Sequence, residues 1–175
     1  TAGLLDNVHW FHAAFRRQKS VAKIINGKRY FTPNVYAGGT QYRGNNDYID
    51  VSPDANIGNF GFFWVDDPQN VGWVPKEQST IKAPFALIVW LDLRKVYPGQ
   101  LNNRNTEALK NEILTVLNGG FWLKDGAIEI NRVYELAENV YRGFTLDEVD
   151  NQYLLHPFAG FRFEGILSVS QPCKI

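Results

Sequence analysis

Apolar and polar residues alternate most regularly near the end of the chain, over 156–170. Phe161, Phe163, Gly165, Leu167 and Val169 fall on one side of a period-two pattern, and Arg162, Glu164, Ile166, Ser168 and Ser170 on the other. The spacing predicts a long strand, entered through Pro157, with Phe161, Phe163, Leu167 and Val169 facing the core. A second run, 81–96, alternates Phe85, Leu87, Val89, Leu91 and Leu93 with Ala86, Ile88, Trp90 and Asp92. Both of its faces are apolar as far as Trp90, as in a central strand covered on both sides, and Arg94-Lys95 mark its exit into solvent. The stretch 84–96 is the expected partner of the terminal strand. Between them Leu109, Ile113, Val116 and Leu117 recur at helical spacing. Asn105 or Thr106 can cap that helix, and Asn118-Gly119-Gly120 ends it.

The remaining segments read more weakly. Leu5, Val8, Phe11, Ala14 and Phe15 predict a helix over 4–18, with Asp6 in its first turn and Arg16, Arg17 and Lys19 at its C-terminal end. A hairpin is expected over 21–36, turning at Asn26-Gly27, where a type I′ turn needs two positive φ angles. Short strands are expected at 47–51 and 61–65, and a strand or mixed segment at 127–137. Residues 37–46 and 66–80, both within the stretches richest in Gly, Asn and Gln or punctuated by Pro, read as long loops, and such loops often bind. Together these elements predict one α+β domain over 1–175, a mixed and mostly antiparallel sheet with helices packed on it.

Composition narrows the function. Hydrophobic residues make up 45% and charged residues 21%, an ordinary globular balance. Eighteen basic residues balance 18 acidic ones, which argues against a protein that tracks a phosphate backbone. Cys173 is the single cysteine, so neither an internal disulfide nor a cysteine zinc site is expected, and the chain suits a reducing compartment. No leader is expected at 4–15, which carries His9, Trp10 and His12, and no run is long and apolar enough for a membrane span.

Candidate chemistry is sparse. His9 and His12 lack a third ligand nearby, and no metal or cofactor is expected. Asp66-Asp67 and Asp147-Glu148 with Asp150 read as turn carboxylates rather than a glycosidase pair. Neither a Gly-x-Ser-x-Gly elbow nor a phosphate-cradling glycine loop is present. The aromatics Tyr42, Trp73 and Trp122 sit in loop-like stretches, and with Arg43, Arg162 and Glu164 they form the expected contact surface for a protein partner. Tyr36, Tyr42, Tyr48, Trp64, Trp73 and Trp122 could instead form a stacking platform for carbohydrate or single-stranded nucleic acid, and a carbohydrate- or host-binding module using exposed aromatics, or a soluble hydrolase, are the alternatives.

The order of elements resembles that of the tail terminator proteins of long-tailed bacteriophages and of related neck and tail-completion ring proteins. A helix is followed by a hairpin and a long loop, then by the strand ending Val89-Trp90-Leu91-Asp92-Leu93, the helix at 106–117 and a closing strand. The segment from Asn151 to Glu164 is similar to structural proteins of phages that infect Bacteroidetes hosts, the crAss-like group among them. The resemblance implies a non-enzymatic virion protein of the neck or tail, assembled in the host cytoplasm. It implies a homo-oligomeric ring, six-fold or twelve-fold, that contacts other neck and tail proteins and joins head connector to tail. DNA would pass through its lumen without sequence-specific binding, with Arg16, Arg17, Lys19 and Lys23 as candidate lumen-facing cations. The region 37–80 is longer than in the small terminators.

Overall fold

The computed structural model describes residues 3–6, 8–11, 19–37, 47–53, 58–74, 78–118, 126–146 and 152–172. Two strands dominate them: β7 (Gln78–Asp92) and β9 (Phe158–Pro172). They pair antiparallel along their full lengths, from Gln78↔Pro172 to Asp92↔Phe158. The pairing follows from the two alternating patterns, because one register alone puts both apolar faces on the same sides. Phe85, Leu87, Val89 and Leu91 then share a face with Phe161, Phe163 and Leu167, and all seven are buried. Val169 packs against the same cluster while remaining partly exposed.

The other strands add to this pair. β8 (Gly126–Tyr134) lies antiparallel along the outer side of β9. On the free side of β7, β5 (Phe60–Val65) pairs with 85–90 and β6 (Asn70–Val74) pairs with 78–82. β5 and β6 thus form one interrupted line along β7, with residues 66–69 opposite 83 and 84 only. Pro84 sits at that interruption. Its carbonyl accepts the Asp66 N–H at 2.8 Å, so the N–H that proline lacks would point to the same side, where the line is broken. A central strand tolerates a proline there because no ladder hydrogen bond is lost. β1 (His9–Phe11) pairs parallel to β5 and completes a sheet in the order β1-β5-β7-β9-β8, with β6 beside β7.

Each face of this sheet carries its own core. On one face lies α2 (Thr106–Asn118), through Leu109, Ile113 and Leu117, together with Leu4, Leu5 and Val8. The Asn105 side chain accepts the Ala108 N–H at 3.3 Å and caps the helix. α1 (Leu93–Val96) continues directly from β7, where the Asp92 carboxylate accepts the Arg94 N–H and turns the chain. On the opposite face Phe60, Phe62, Ile88 and Trp90 meet Val35 from a second sheet, Val51 just past the end of that sheet's last strand, and Val140 and Tyr141 from α3 (Ala137–Val140) and the residue after it. The second sheet is the meander β2 (Lys19–Ile25), β3 (Lys28–Ala37) and β4 (Asp47–Asp50). Its first turn has positive φ at Asn26 and Gly27, as the hairpin signal requires. The molecule is therefore α+β with mostly antiparallel pairing, as expected, and has helix packing on one face and a small sheet on the other.

Two expectations fail. Residues 9–11 are a strand, not part of a helix over 4–18; positions 12–18 lie outside the described residues. The apolar residues there fit either period. The outer edge of β5, buried on both faces, has backbone groups that need partners, and β1 supplies them. Residues 70–74 and 78–80 are not a loop: they form β6 and the start of β7, which pair antiparallel, and 75–77 lie outside the described residues. Gly72 and Pro75 mask the strand propensity of Val71, Trp73 and Val74. The loop read at 37–46 lies almost wholly outside the described residues, apart from Ala37, which ends β3.

Gly165 is fixed by the β8 bulge. It pairs with Phe85 and Ile130, and the β8 register shifts between Ile130 and Arg132. A Cβ on residue 165 would overlap the Glu129 carbonyl, a backbone atom that cannot swing away. Gly165→Ala is expected to cost about 3 kcal/mol, at the upper end of overpacking effects. Urea unfolding measures this, and a loss below about 0.5 kcal/mol would show that β8 yields easily.

Candidate arginine basin on the central sheet

Strand order places residues distant in sequence into rows across the sheet. One row runs Phe62, Ile88, Arg162, Tyr134 and the next runs Trp64, Ala86, Glu164, Arg132. These rows lie on the face that carries the second core. In the second row Ala86 is small and buried between Trp64 and Glu164, which leaves a hollow above it. The hollow is a cavity of about 460 Å³ lined by Trp64, Asp66, Arg132, Arg142, Arg162 and Glu164 among others.

Arg162 is the anchor of this basin, with a relative exposure of 4%. Its Nε donates to Glu164 Oε1 at 2.6 Å. Its Nη1 donates to the carbonyls of Arg142 at 3.1 Å and Val140 at 3.5 Å. The guanidinium lies 5.0 Å from the centre of the Trp64 ring, a cation–π arrangement. Arg162 and Glu164 meet because residues two apart in a strand share a face. Arg142 comes from the turn after α3. Its Nη2 donates to the same Glu164 oxygen at 2.6 Å, and its guanidinium lies over Tyr134 at 5.4 Å.

The turn itself is held from both sides. Tyr141 Oη donates to the Val51 carbonyl at 3.1 Å, and the Thr145 N–H donates to the Phe31 carbonyl at 2.6 Å. Gly143 has φ +94°, a conformation that side chains other than glycine's rarely adopt. A Cβ there would also come within 2.7 Å of the Trp64 ring, so the indole packs directly on glycine backbone. Phe144 closes on the other part of that ring, with centroids 5.0 Å apart.

The electrostatics follow from two cations sharing one carboxylate. Burial pulls the Arg162 pKa below its ordinary value, against the Glu164 hydrogen bond and charge, and an arginine still remains charged. The Glu164 charge raises Arg142. Burial acts to raise Glu164, but the Arg162 hydrogen bond and the two guanidinium charges outweigh it and hold the carboxyl below the usual glutamate value.

Of the residues expected at a partner surface, Arg162 and Glu164 are brought together, but not as a free surface. Arg162 is buried and committed to internal bonds, and the Glu164 side chain is 17% exposed. Tyr42, Arg43 and Trp122 lie outside the described residues, as do Arg16 and Arg17. Trp73, Lys19 and Lys23 are described in backbone only, in β6 and β2. Asp66 lines the basin. Arg132 and Arg142 join the site without having stood out in the sequence, whereas Trp64 is one of the aromatics read there as a possible stacking platform. The one available signal was periodicity, since Trp64 and Glu164 fall in register once β5, β7 and β9 are adjacent.

Replacing Glu164 with Gln would leave Arg162 buried beside a neutral partner. The expected loss is about 2 kcal/mol, below the ~3–5 kcal/mol of a fully buried pair because Glu164 is partly exposed. The lowered Glu164 pKa also sets a pH dependence. Its stabilisation is complete above the ordinary glutamate pKa and disappears as pH falls through the lower folded value. Urea midpoints measured on acidification should therefore fall more steeply for the parent chain than for Glu164→Gln. Parallel curves would deny the carboxylate this role.

No protein-family model matches the chain, and no curated protein matches it in sequence, so no relative assigns a role to these arginines.

Proposed function

We propose that the chain is a structural subunit of a phage neck or tail ring, acting by assembly rather than catalysis. In the virion it would join the head connector to the tail and let DNA pass through its lumen. The observation that carries this reading is the edge formed by β8. This nine-residue strand ends the sheet, pairing with β9 on one side only among the described residues. Open strand edges recruit further strands unless they are blunted, and here the blunting is modest. Glu129, Asn131 and Arg132 are exposed, yet Val133 (38%) and Leu136 (64%) expose apolar surface beside them. The opposite end of the sheet is the three-residue β1. Two unlike ends suit a head-to-tail contact, which closes into a ring when the rotation between subunits allows it. The closing C-terminal strand and the helix packed on the sheet are the further supports, and both match the resemblance in element order. Among the described residues no helix is long and apolar enough to cross a membrane.

Native mass spectrometry and negative-stain imaging of the purified chain, alone and with neck and tail proteins of its virion, test the reading. Closed rings of six or twelve copies are expected. The double substitution Val133→Glu, Leu136→Glu should abolish them while leaving the unfolding free energy within about 1 kcal/mol of the parent, as surface changes usually do. A chain that stays monomeric with every neighbour, or rings indifferent to both substitutions, would overturn it.

A further inference from the structure

The basin above Ala86 holds more donors than the protein uses. Arg162 commits Nε to Glu164 and Nη1 to two carbonyls, and its Nη2 makes no hydrogen bond among the described residues. Among the described residues the buried side-chain atoms without a partner are Asn34 Oδ1 and Asn59 Nδ2. Arg162 Nη2 is not one of them, so it opens onto the cavity that Arg162 lines. Arg142 stands beside it, bonded to Glu164 and half-exposed. Arg132, exposed at the β8 bulge, takes part in no ion pair of the described residues. Among the described residues three guanidiniums thus face two carboxylates, Asp66 and Glu164, leaving one positive charge in excess around the hollow.

That excess selects the ligand. A carboxylate carries one negative charge, and its two oxygens match the planar N–H fork of arginine. A phosphate dianion would overshoot the excess and be repelled by Asp66 and Glu164. Beside these charged groups and Asn131, the wall offers one flat apolar surface, the Trp64 indole, packed on Gly143 and Phe144, with Pro84 near it. About 460 Å³ is in the range of cavities that hold small organic ligands. We propose that this basin binds a small aromatic carboxylic acid, its carboxylate on Arg162 Nη2 and Arg142 and its ring against Trp64. The proposal is independent of ring assembly and applies to the subunit in either state.

Benzoate is the test ligand, followed by ¹⁵N NMR at the Trp64 indole N–H, assigned by its loss in Trp64→Phe. A saturable shift is expected, and benzamide, the neutral isostere, should bind about tenfold or more weaker. Arg142→Gln should weaken benzoate by a similar factor. Glu164 keeps its Arg162 bond in that variant, so the fold is retained, and a thermal melt verifies this. If that variant unfolds, Arg132→Gln takes its place and should weaken benzoate severalfold by cancelling the excess charge. Equal binding of benzamide, inorganic phosphate binding tighter than benzoate, or no saturation up to about 10 mM would overturn the proposal. So would an acidic peptide that shifts Trp64 when benzoate does not, since the basin would then read a protein carboxylate.

Discussion

The antiparallel ladder between β7 and β9 constrains everything else in the molecule. It joins fifteen residues to fifteen, from Gln78↔Pro172 to Asp92↔Phe158. Because side chains alternate, a slip of one residue would turn Arg162 and Glu164 toward Leu109 and Ile113 and move Phe161 and Phe163 to the face of the basin. The register is therefore fixed by two incompatible faces rather than by a turn. Once it is fixed, α2 has one surface to cover and the small sheet has the other. Even Pro84, a poor residue for a central strand, is accommodated where the β5–β6 line breaks and Asp66 bonds its carbonyl.

Arg162 is the exception within that order. It occupies a row otherwise filled by Phe62, Ile88 and Tyr134, where an apolar side chain would avoid the cost of desolvating a cation. The structure offsets the cost with Glu164, two carbonyls and the face of Trp64. Buried ion pairs are seldom the most stable solution, so their presence needs a reason beyond stability. Part of that reason is visible. Through the carbonyls of Val140 and Arg142, the cation ties the turn after α3 to the sheet, and the same turn carries Gly143 against Trp64. The remaining donor, turned into the cavity, is the part that tying the turn leaves unexplained.

The main strands and the α2 helix were legible in the sequence because each has a clean period and a clear end. Phe161, Phe163 and Leu167 face the core as their alternation requires, and Asn26-Gly27 makes the predicted turn. β1 was not legible, since three residues are too few to show a period and its partner is just over fifty positions away, as in His9↔Phe60. β6 was hidden by Gly72 and Pro75. The basin was illegible for a different reason. Its parts come from four strands and a turn, and the hollow exists because Ala86 is small between Trp64 and Glu164. An alanine in a strand carries no chemical signal until its neighbours across the sheet are known. Arg162 was read as surface because its strand face looked polar. It was the arrival of α3 and its turn over that face, a tertiary event, that buried it.

The two readings of the molecule meet on β8. Its outer edge is the surface that ring assembly would use, and its bulge carries Arg132 to the rim of the basin. The bulge exists because residue 165 is glycine and lets the Glu129 carbonyl close in on β9. A neighbour paired to that outer edge would lie along β8, whereas the carboxylate would sit on Arg162 and Arg142, which β9 and the turn after α3 hold in place. The edge and the basin are therefore separate uses of one frame, the β7–β9 ladder, whose register both require.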